Sequence, residues 1–209
     1  MNNIFEFKGL ISLEDRERLH GHKAYVVWFT GLSSSGKSTI AHQVEQILYA
    51  RGCSTYVLDG DNVRQGLCKD LGFSSLDRTE NVRRIGEMAK LFFDAGLIVM
   101  AAFISPYRAD RNAIADIIGR NNMLEVYVEC PVEVCSLRDP KGLYKRAKAG
   151  EVNNFTGISS PYEPPETPDL LLNTTQYSVM ESSKLVVSEL NKLGIIHEKF
   201  PDSHLASSF

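Results

Sequence analysis

Residues 31–39 read GLSSSGKST, directly after the apolar run YVVWFT at 25–30 and directly before a segment in which Ile40, Val44, Ile47 and Leu48 recur at helical spacing. A strand, a glycine-bounded loop and a helix therefore follow in that order. The pattern G-x-x-x-x-G-K-[ST] in this setting turns successive backbone N–H groups into one concavity, and the helix start adds its partial positive charge. Gly31, Ser33, Ser34, Ser35, Gly36, Lys37, Ser38 and Thr39 form the expected cradle for a nucleoside triphosphate. Lys37 is placed to reach the β- and γ-phosphates, and the Ser38 hydroxyl to ligate Mg²⁺. The loop specifies the phosphate donor and leaves the acceptor open.

The remaining pattern sets the sheet around this loop. Gly52 marks the end of the first helix, and a second strand at 55–58 stops at Asp59-Gly60-Asp61. A long amphipathic helix is expected over 77–95, with Ile85, Met88, Ala89, Phe92 and Phe93 on one face and Gly96 after it. Residues 97–104 are almost continuously apolar, as in a strand buried on both faces of a parallel sheet. Further strands are expected at 124–128 and 170–172, and a closing helix at 179–193. This alternation predicts a three-layer α/β P-loop NTPase fold: a mostly parallel five-stranded sheet flanked by helices, with a lid segment. Ligands in such sheets gather beyond the carboxyl ends of the strands, where the phosphate loop, the Asp-Gly-Asp turn and the Ser105-Pro106 turn converge. The expected division is a partly helical arm at 1–24, the kinase-like domain at 25–200 and a tail at 201–209.

With 209 residues and no linker-like composition break, the chain reads as one domain. Lys and Arg number 23 against 26 Asp and Glu, a formal charge of -3, which gives no basis for non-specific attraction to nucleic acid or membrane. The polar, acid-containing N-terminus has no signal-peptide core. Cys53, Cys68, Cys130 and Cys135 lack metal-binding spacing and read as reduced, buried thiols of a cytoplasmic protein, with a redox-sensing pair as the lesser reading. The five histidines are scattered and receive no role.

Three blocks carry further chemistry. The turn Asp59-Gly-Asp-Asn-Val-Arg64 places carboxylates beside the triphosphate; Asp61 fits either an N-cap or a metal-side and proton-accepting carboxylate, and is the leading candidate for the latter. Arg78, Asn81, Arg83 and Arg84 cluster at the start of the long helix, where cations oppose the macrodipole, so the cluster reads either as an anion site with Arg64 or as a salt-bridged face. The basic block 137–148 reads as a lid able to stabilise transferring charge, or as a solvated helix face. In the turn-rich segment 153–166, Phe155 is expected as an exposed aromatic able to stack on a base, with Phe73 as the opposing face.

The blocks GLSSSGKST, LDGDNVRQGLCKDLGFS, DRTENVRRIGEMAKLFFDAGL, FISPYRADR, RDPKGLYKRAKAGE and NFTGISSPYEPPE resemble, in order and approximate spacing, those of the adenylylsulfate kinases. The resemblance covers about 26–172 and implies transfer of the γ-phosphoryl of ATP to the 3′-hydroxyl of adenosine 5′-phosphosulfate in sulfate activation. It implies Mg²⁺ on Ser38 and Asp61, with Asp61 as the catalytic acid group that orients or deprotonates the hydroxyl. Arg64, Arg78 and Asn81 match residues on the phosphosulfate and ribose, Phe73 and Phe155 the pair around the substrate adenine, and Ile104 and Lys141 further substrate contacts. Lys141 also suits the transferring charge, and Arg138 a lid arginine near the donor nucleotide. Ser105 matches a serine proposed as a phosphorylated intermediate; we expect a substrate contact first and a nucleophile second. A homodimer is implied as well. One departure is Ser34, where the family loop usually has glycine; at positive φ it would cost about 1 kcal/mol. Other readings are a kinase of another small acceptor, such as a nucleoside monophosphate, and a catalytically silent nucleotide-binding module.

Overall fold

The structure, a computed structural model, describes residues 9–196. The first eight residues of the expected arm, the tail at 201–209, His197 and His204 lie outside the described residues.

Strand β1 (Tyr25–Thr30) is buried along its whole length because it has a parallel neighbour on each side and helices over both faces. Its partners are β3 (Ile98–Ala102), with Val27 opposite Met100, and β4 (Met123–Glu129), with Val27 opposite Leu124. With β2 (Thr55–Asp59) beyond β3 and β5 (Leu170–Asn173) beyond β4, the sheet has five strands in the order β2-β3-β1-β4-β5. Every pairing is parallel, so the expected "mostly parallel" sheet is wholly so.

Alternation along β1 divides the core into two layers. Val27 and Phe29 pack with Ile40, Val44 and Leu48 of α2 (Lys37–Ala50) and with Val186 and Leu190 of α8 (Val179–Lys192). Val26 and Trp28 pack with Val82, Ile85 and Ala89 of α4 (Ser75–Asp94) and with Ile114 and Ile118 of α5 (Arg108–Ile118). A third cluster joins Leu32 and Phe155 to Cys135 of α6 (Val132–Arg138) and Tyr144 of α7 (Leu143–Lys148). Of the basic block at 137–148, the first two residues end α6 and the last six form α7, with the Pro-Lys-Gly sequence in the break between them.

Two boundaries differ from expectation for local reasons. Helix α4 starts at Ser75 because the Ser74 hydroxyl accepts from the Asp77 amide at 3.1 Å and caps it. Strand β3 stops at Ala102 because the chain then turns into the site at Ser105, which has φ 37°. In the arm, α1 (Leu13–His20) carries a capping box between Ser12 and Asp15. His20 and His22, unassigned from sequence, stack at 5.6 Å and both bond Ser54, fixing the arm to the strand-start edge of the sheet. All four cysteines are buried and unpaired. Among the described residues, no helix is long and apolar enough to cross a membrane.

Candidate active site

The loop between β1 and α2 has a backbone only certain residues tolerate. Gly31 has φ 150°, and a Cβ there would lie 2.5 Å from the Val128 carbonyl oxygen of β4, so a side chain would drive the loop off the sheet. Gly36, at φ 108°, opens α2, and Lys37 is its first residue. Lys37 is buried; its Nζ donates to the Leu32 carbonyl at 2.6 Å, across the loop. Burial lowers its pKa to about 8, against the pull of the nearby acidic groups, including Asp59 and Asp61. The Ser35 hydroxyl is buried without a partner.

Ser34 does sit at positive φ, 61°. Ser34→Gly is therefore expected to stabilise the fold by up to about 1 kcal/mol, less the added chain entropy of glycine, and to alter kcat/KM by less than about threefold. Thermal melts and ATP titration check this; a rise of about tenfold or more in activity would show instead that the side chain crowds the phosphates.

At the end of β2 the geometry reassigns the carboxylates. Asp59, not Asp61, caps α3 (Gly60–Gln65): its Oδ1 accepts from the Asp61 amide at 2.9 Å. The other oxygen, Oδ2, accepts from the Ser38 hydroxyl at 2.5 Å. Asp61, one helical step inside, is left free of capping and pairs with the Lys141 ammonium from the turn between α6 and α7. Sequence reading missed Asp59 as a site residue in its own right, although its place as the polar end of an apolar strand was the available signal. Tyr144 was missed too; its hydroxyl donates to the Ser33 carbonyl at 3.0 Å and ties the lid helix to the phosphate loop.

The arginine cluster divides by helix face. Arg78 and Asn81 are buried and line the cavity. Arg83 and Arg84 are spent on Glu80, Glu87 and Asp70, so for them the salt-bridged-face reading holds. Arg78 donates to the Phe73 carbonyl at 3.1 Å and to the Asn154 carbonyl at 2.6 Å, joining two loops across the cavity mouth. The Asn81 Nδ2 is buried with no partner. Arg64 donates to the carbonyls of Leu71 and Gly72 and lays its guanidinium 4.5 Å from the Phe73 ring centroid. Burial lowers the pKa of Arg64 and Arg78, yet a guanidinium keeps its charge.

Phe73 is 55% exposed, as a stacking face requires. Phe155 is not the exposed aromatic expected: it is 7% exposed, because its edge packs against Tyr144 at 4.9 Å in the third core cluster, though it still borders the cavity. A turn-rich sequence gives no sign of a helix folding over it. Arg138 lies outside this cavity, on the other flank of the loop, where it donates to Thr174 and to the Ser35 carbonyl.

One cavity of about 810 Å³ thus joins the phosphate-loop residues Lys37 and Ser38 to Asp61 and Lys141 and to the pocket of Arg78 and Asn81, with Ile104 and Ser105 also on its wall. A cationic cradle at one end and a buried cation beside an unpartnered amide at the other suit two anionic ligands meeting at a carboxylate.

Over residues 23–173 the chain matches the family model of adenylylsulphate kinase. It is 59% identical over 186 residues to the adenylyl-sulfate kinase of Thermodesulfovibrio yellowstonii, which spans 89% of this chain and 93% of that protein. It is 52% identical over 194 residues to the probable adenylyl-sulfate kinase of Bacillus subtilis, over 93% of this chain and 98% of that one. Among solved structures, the Mycobacterium tuberculosis APS kinase CysC in complex with AMPPNP and APS superposes with a TM-score of 0.78 at 46% identity, covering 81% of this chain and 99% of that one.

Proposed function

The chain belongs to the adenylylsulphate kinase family, and from that premise we propose how its residues carry the reaction. It is an adenylyl-sulfate kinase: the γ-phosphoryl of ATP passes to the 3′-hydroxyl of adenosine 5′-phosphosulfate, giving 3′-phosphoadenylylsulfate and ADP. The observation that carries the assignment of parts is the single cavity that holds the phosphate loop at one end and Arg78 with the open Asn81 amide at the other.

ATP phosphates lie on the N–H groups of the loop 31–39, and Lys37 exchanges the Leu32 carbonyl for phosphate oxygens. Arg138 borders the donor nucleotide from its anchor on Thr174. The hydroxyl of Ser38 with the carboxylates of Asp59 and Asp61 is a hard-oxygen donor set that fits Mg²⁺, which when bound would neutralise charge between the β- and γ-phosphates. At the acceptor end, Arg78 and Arg64 meet the phosphosulfate, Asn81 the ribose, Ile104 and Ser105 the wall beside it, and the open face of Phe73 the adenine, with Phe155 as a fixed edge. Asp61 orients the 3′-hydroxyl and takes its proton as the new P–O bond forms and the bond to the β-phosphate oxygen breaks. Lys141 moves from Asp61 to the transferring phosphoryl. ADP formation with and without adenosine 5′-phosphosulfate tests the reading, with AMP as control acceptor. Turnover on AMP in place of the phosphosulfate would assign a nucleotide kinase instead.

The lowered pKa of Lys37 makes ATP binding pH-dependent. Phosphates hold the ammonium protonated in the complex, whereas the free chain loses that proton as the pH rises through about 8. ATP affinity is therefore expected to fall about tenfold between pH 7 and pH 9, with proton uptake on binding, seen by titration calorimetry in buffers of different ionisation enthalpy. Folding responds in the opposite direction: buried Lys37⁺ disfavours the folded state below about pH 8, and that penalty fades as the pH climbs toward the ordinary lysine value, so stability rises where ATP affinity falls.

The same reading places the kinase domain at 25–200 and the protein in the cytoplasm, which the unpaired cysteines favour. It also includes a homodimer, for which exposed Tyr49, Tyr56 and Leu91 offer apolar surface. Light scattering of the purified chain decides that point.

A further inference from the structure

The turn after β3 is held by more than the reaction as described uses. Ser105 is buried, borders the cavity and sits at φ 37°, a region a serine does not occupy unless its surroundings impose it. The imposition is visible. Trp28, fully buried in the central strand, donates its indole N–H to the Ser105 Oγ at 3.1 Å. Arg111 donates to the Ser105 carbonyl at 2.7 Å, to Glu125 Oε1 at 2.7 Å and to the Glu163 carbonyl at 2.8 Å. Thr30 donates to the Ile104 carbonyl at 2.8 Å. Arg111 is as buried as the apolar core, and a buried Arg–Glu pair adds little net stability, so its retention asks for a reason of position.

The polarity of the Trp28 bond is the decisive point. An indole N–H can only donate, so the Ser105 oxygen must accept there, and its own proton has to point elsewhere. We infer that Trp28 and Arg111 are positioning residues that present Ser105 to the cavity as an oriented O–H donor for an anionic or hydroxyl oxygen of the acceptor nucleotide. A hydroxyl whose oxygen is already engaged by an N–H donor is a weakened nucleophile, so the same arrangement turns Ser105 away from carrying the phosphoryl group itself. The inference rests on the acceptor being adenosine 5′-phosphosulfate.

A double-mutant cycle on the full chain tests it: Ser105→Ala, Trp28→Phe and the two together, with kcat and KM for each substrate. Each single change is expected to raise KM for the phosphosulfate about tenfold while KM for ATP moves less than about twofold, and the pair should be no worse than Ser105→Ala alone. Additive losses in the pair, or an unchanged KM in Ser105→Ala, would overturn it. If Trp28→Phe does not fold, Arg111→Lys keeps a charge beside Glu125 and loses the fork. It should raise the same KM selectively, and a change in thermal stability with both KM values unmoved would count against the positioning role. Intact mass after incubation with ATP alone should show unmodified protein; a phosphoryl group on Ser105 that chases to the phosphosulfate would refute it. Failure of the substrate assignment is separate and shows first, as absence of phosphosulfate-dependent turnover in the wild-type protein.

Discussion

Asp61→Ala is expected to lower kcat about a thousandfold while leaving KM for ATP within about threefold of wild type. The asymmetry follows from where the carboxylates fall. Asp59 spends one oxygen on the α3 cap and the other on Ser38, so it serves the phosphate-loop side of the cavity. Asp61 bonds nothing in the loop, and its partner, Lys141, comes from the lid. On the proposed mechanism, removing Asp61 takes away the group that orients and deprotonates the attacking hydroxyl, and it leaves the cradle of loop amides and Lys37 intact. Asp59→Asn should show the opposite signature. It keeps an oxygen for the α3 cap but takes away the charge facing Ser38, so the Mg²⁺ concentration needed for half-maximal rate should rise several-fold. Asp61 shares the proposed Mg²⁺ donor set, so the two separate at saturating Mg²⁺ in steady-state kinetics, where Asp59→Asn should recover most of kcat and Asp61→Ala should not. An Asp61→Ala enzyme retaining more than about a tenth of kcat would remove Asp61 from the chemistry.

The fold was legible from the chain because its signals are local and mutually consistent. A buried β1 with parallel partners has to read as a continuous apolar run, and YVVWFT does; a loop that must clear Val128 needs glycine at 31 and has it. The site was legible only as far as chemistry is encoded by residue type at short spacing. Arg78 and Asn81 share a helix face by arithmetic, and the structure buries both. Whether Asp59 or Asp61 turns back to cap α3 depends on a backbone angle at the strand end, which two acids on either side of one glycine cannot reveal. Phe155 and Tyr144, eleven positions apart, meet only because α7, which carries Tyr144, closes over Phe155, and Trp28 and Ser105 because β1 and β3 lie side by side. Such pairings are products of topology, and periodicity along one segment carries no trace of them.

Arg78→Ala should raise KM for adenosine 5′-phosphosulfate about a hundredfold, the equivalent of about 2.7 kcal/mol, with KM for ATP little changed. This guanidinium has two tasks. It binds the Phe73 and Asn154 carbonyls, so it holds the two loops at a fixed separation, and it supplies buried positive charge at the end of the cavity proposed for the acceptor anion. Its place in the first turns of α4 costs helix stability, since a cation there opposes the macrodipole. Deleting it should therefore unfold the chain less readily than deletion of a buried residue usually does, with relief at the helix start offsetting part of the lost hydrogen bonding. Arg78→Lys sharpens the point. A lysine keeps the charge but, as a single ammonium, cannot span both carbonyls and still face an anion, so most of the loss in KM should persist. If Arg78→Lys instead restored wild-type KM, charge alone would be what the acceptor requires, and the two-loop brace would be incidental to binding. If neither variant altered KM for the phosphosulfate while both lowered the melting temperature, Arg78 would belong to the scaffold, and the acceptor anion would have to be sought at Arg64 and Lys141.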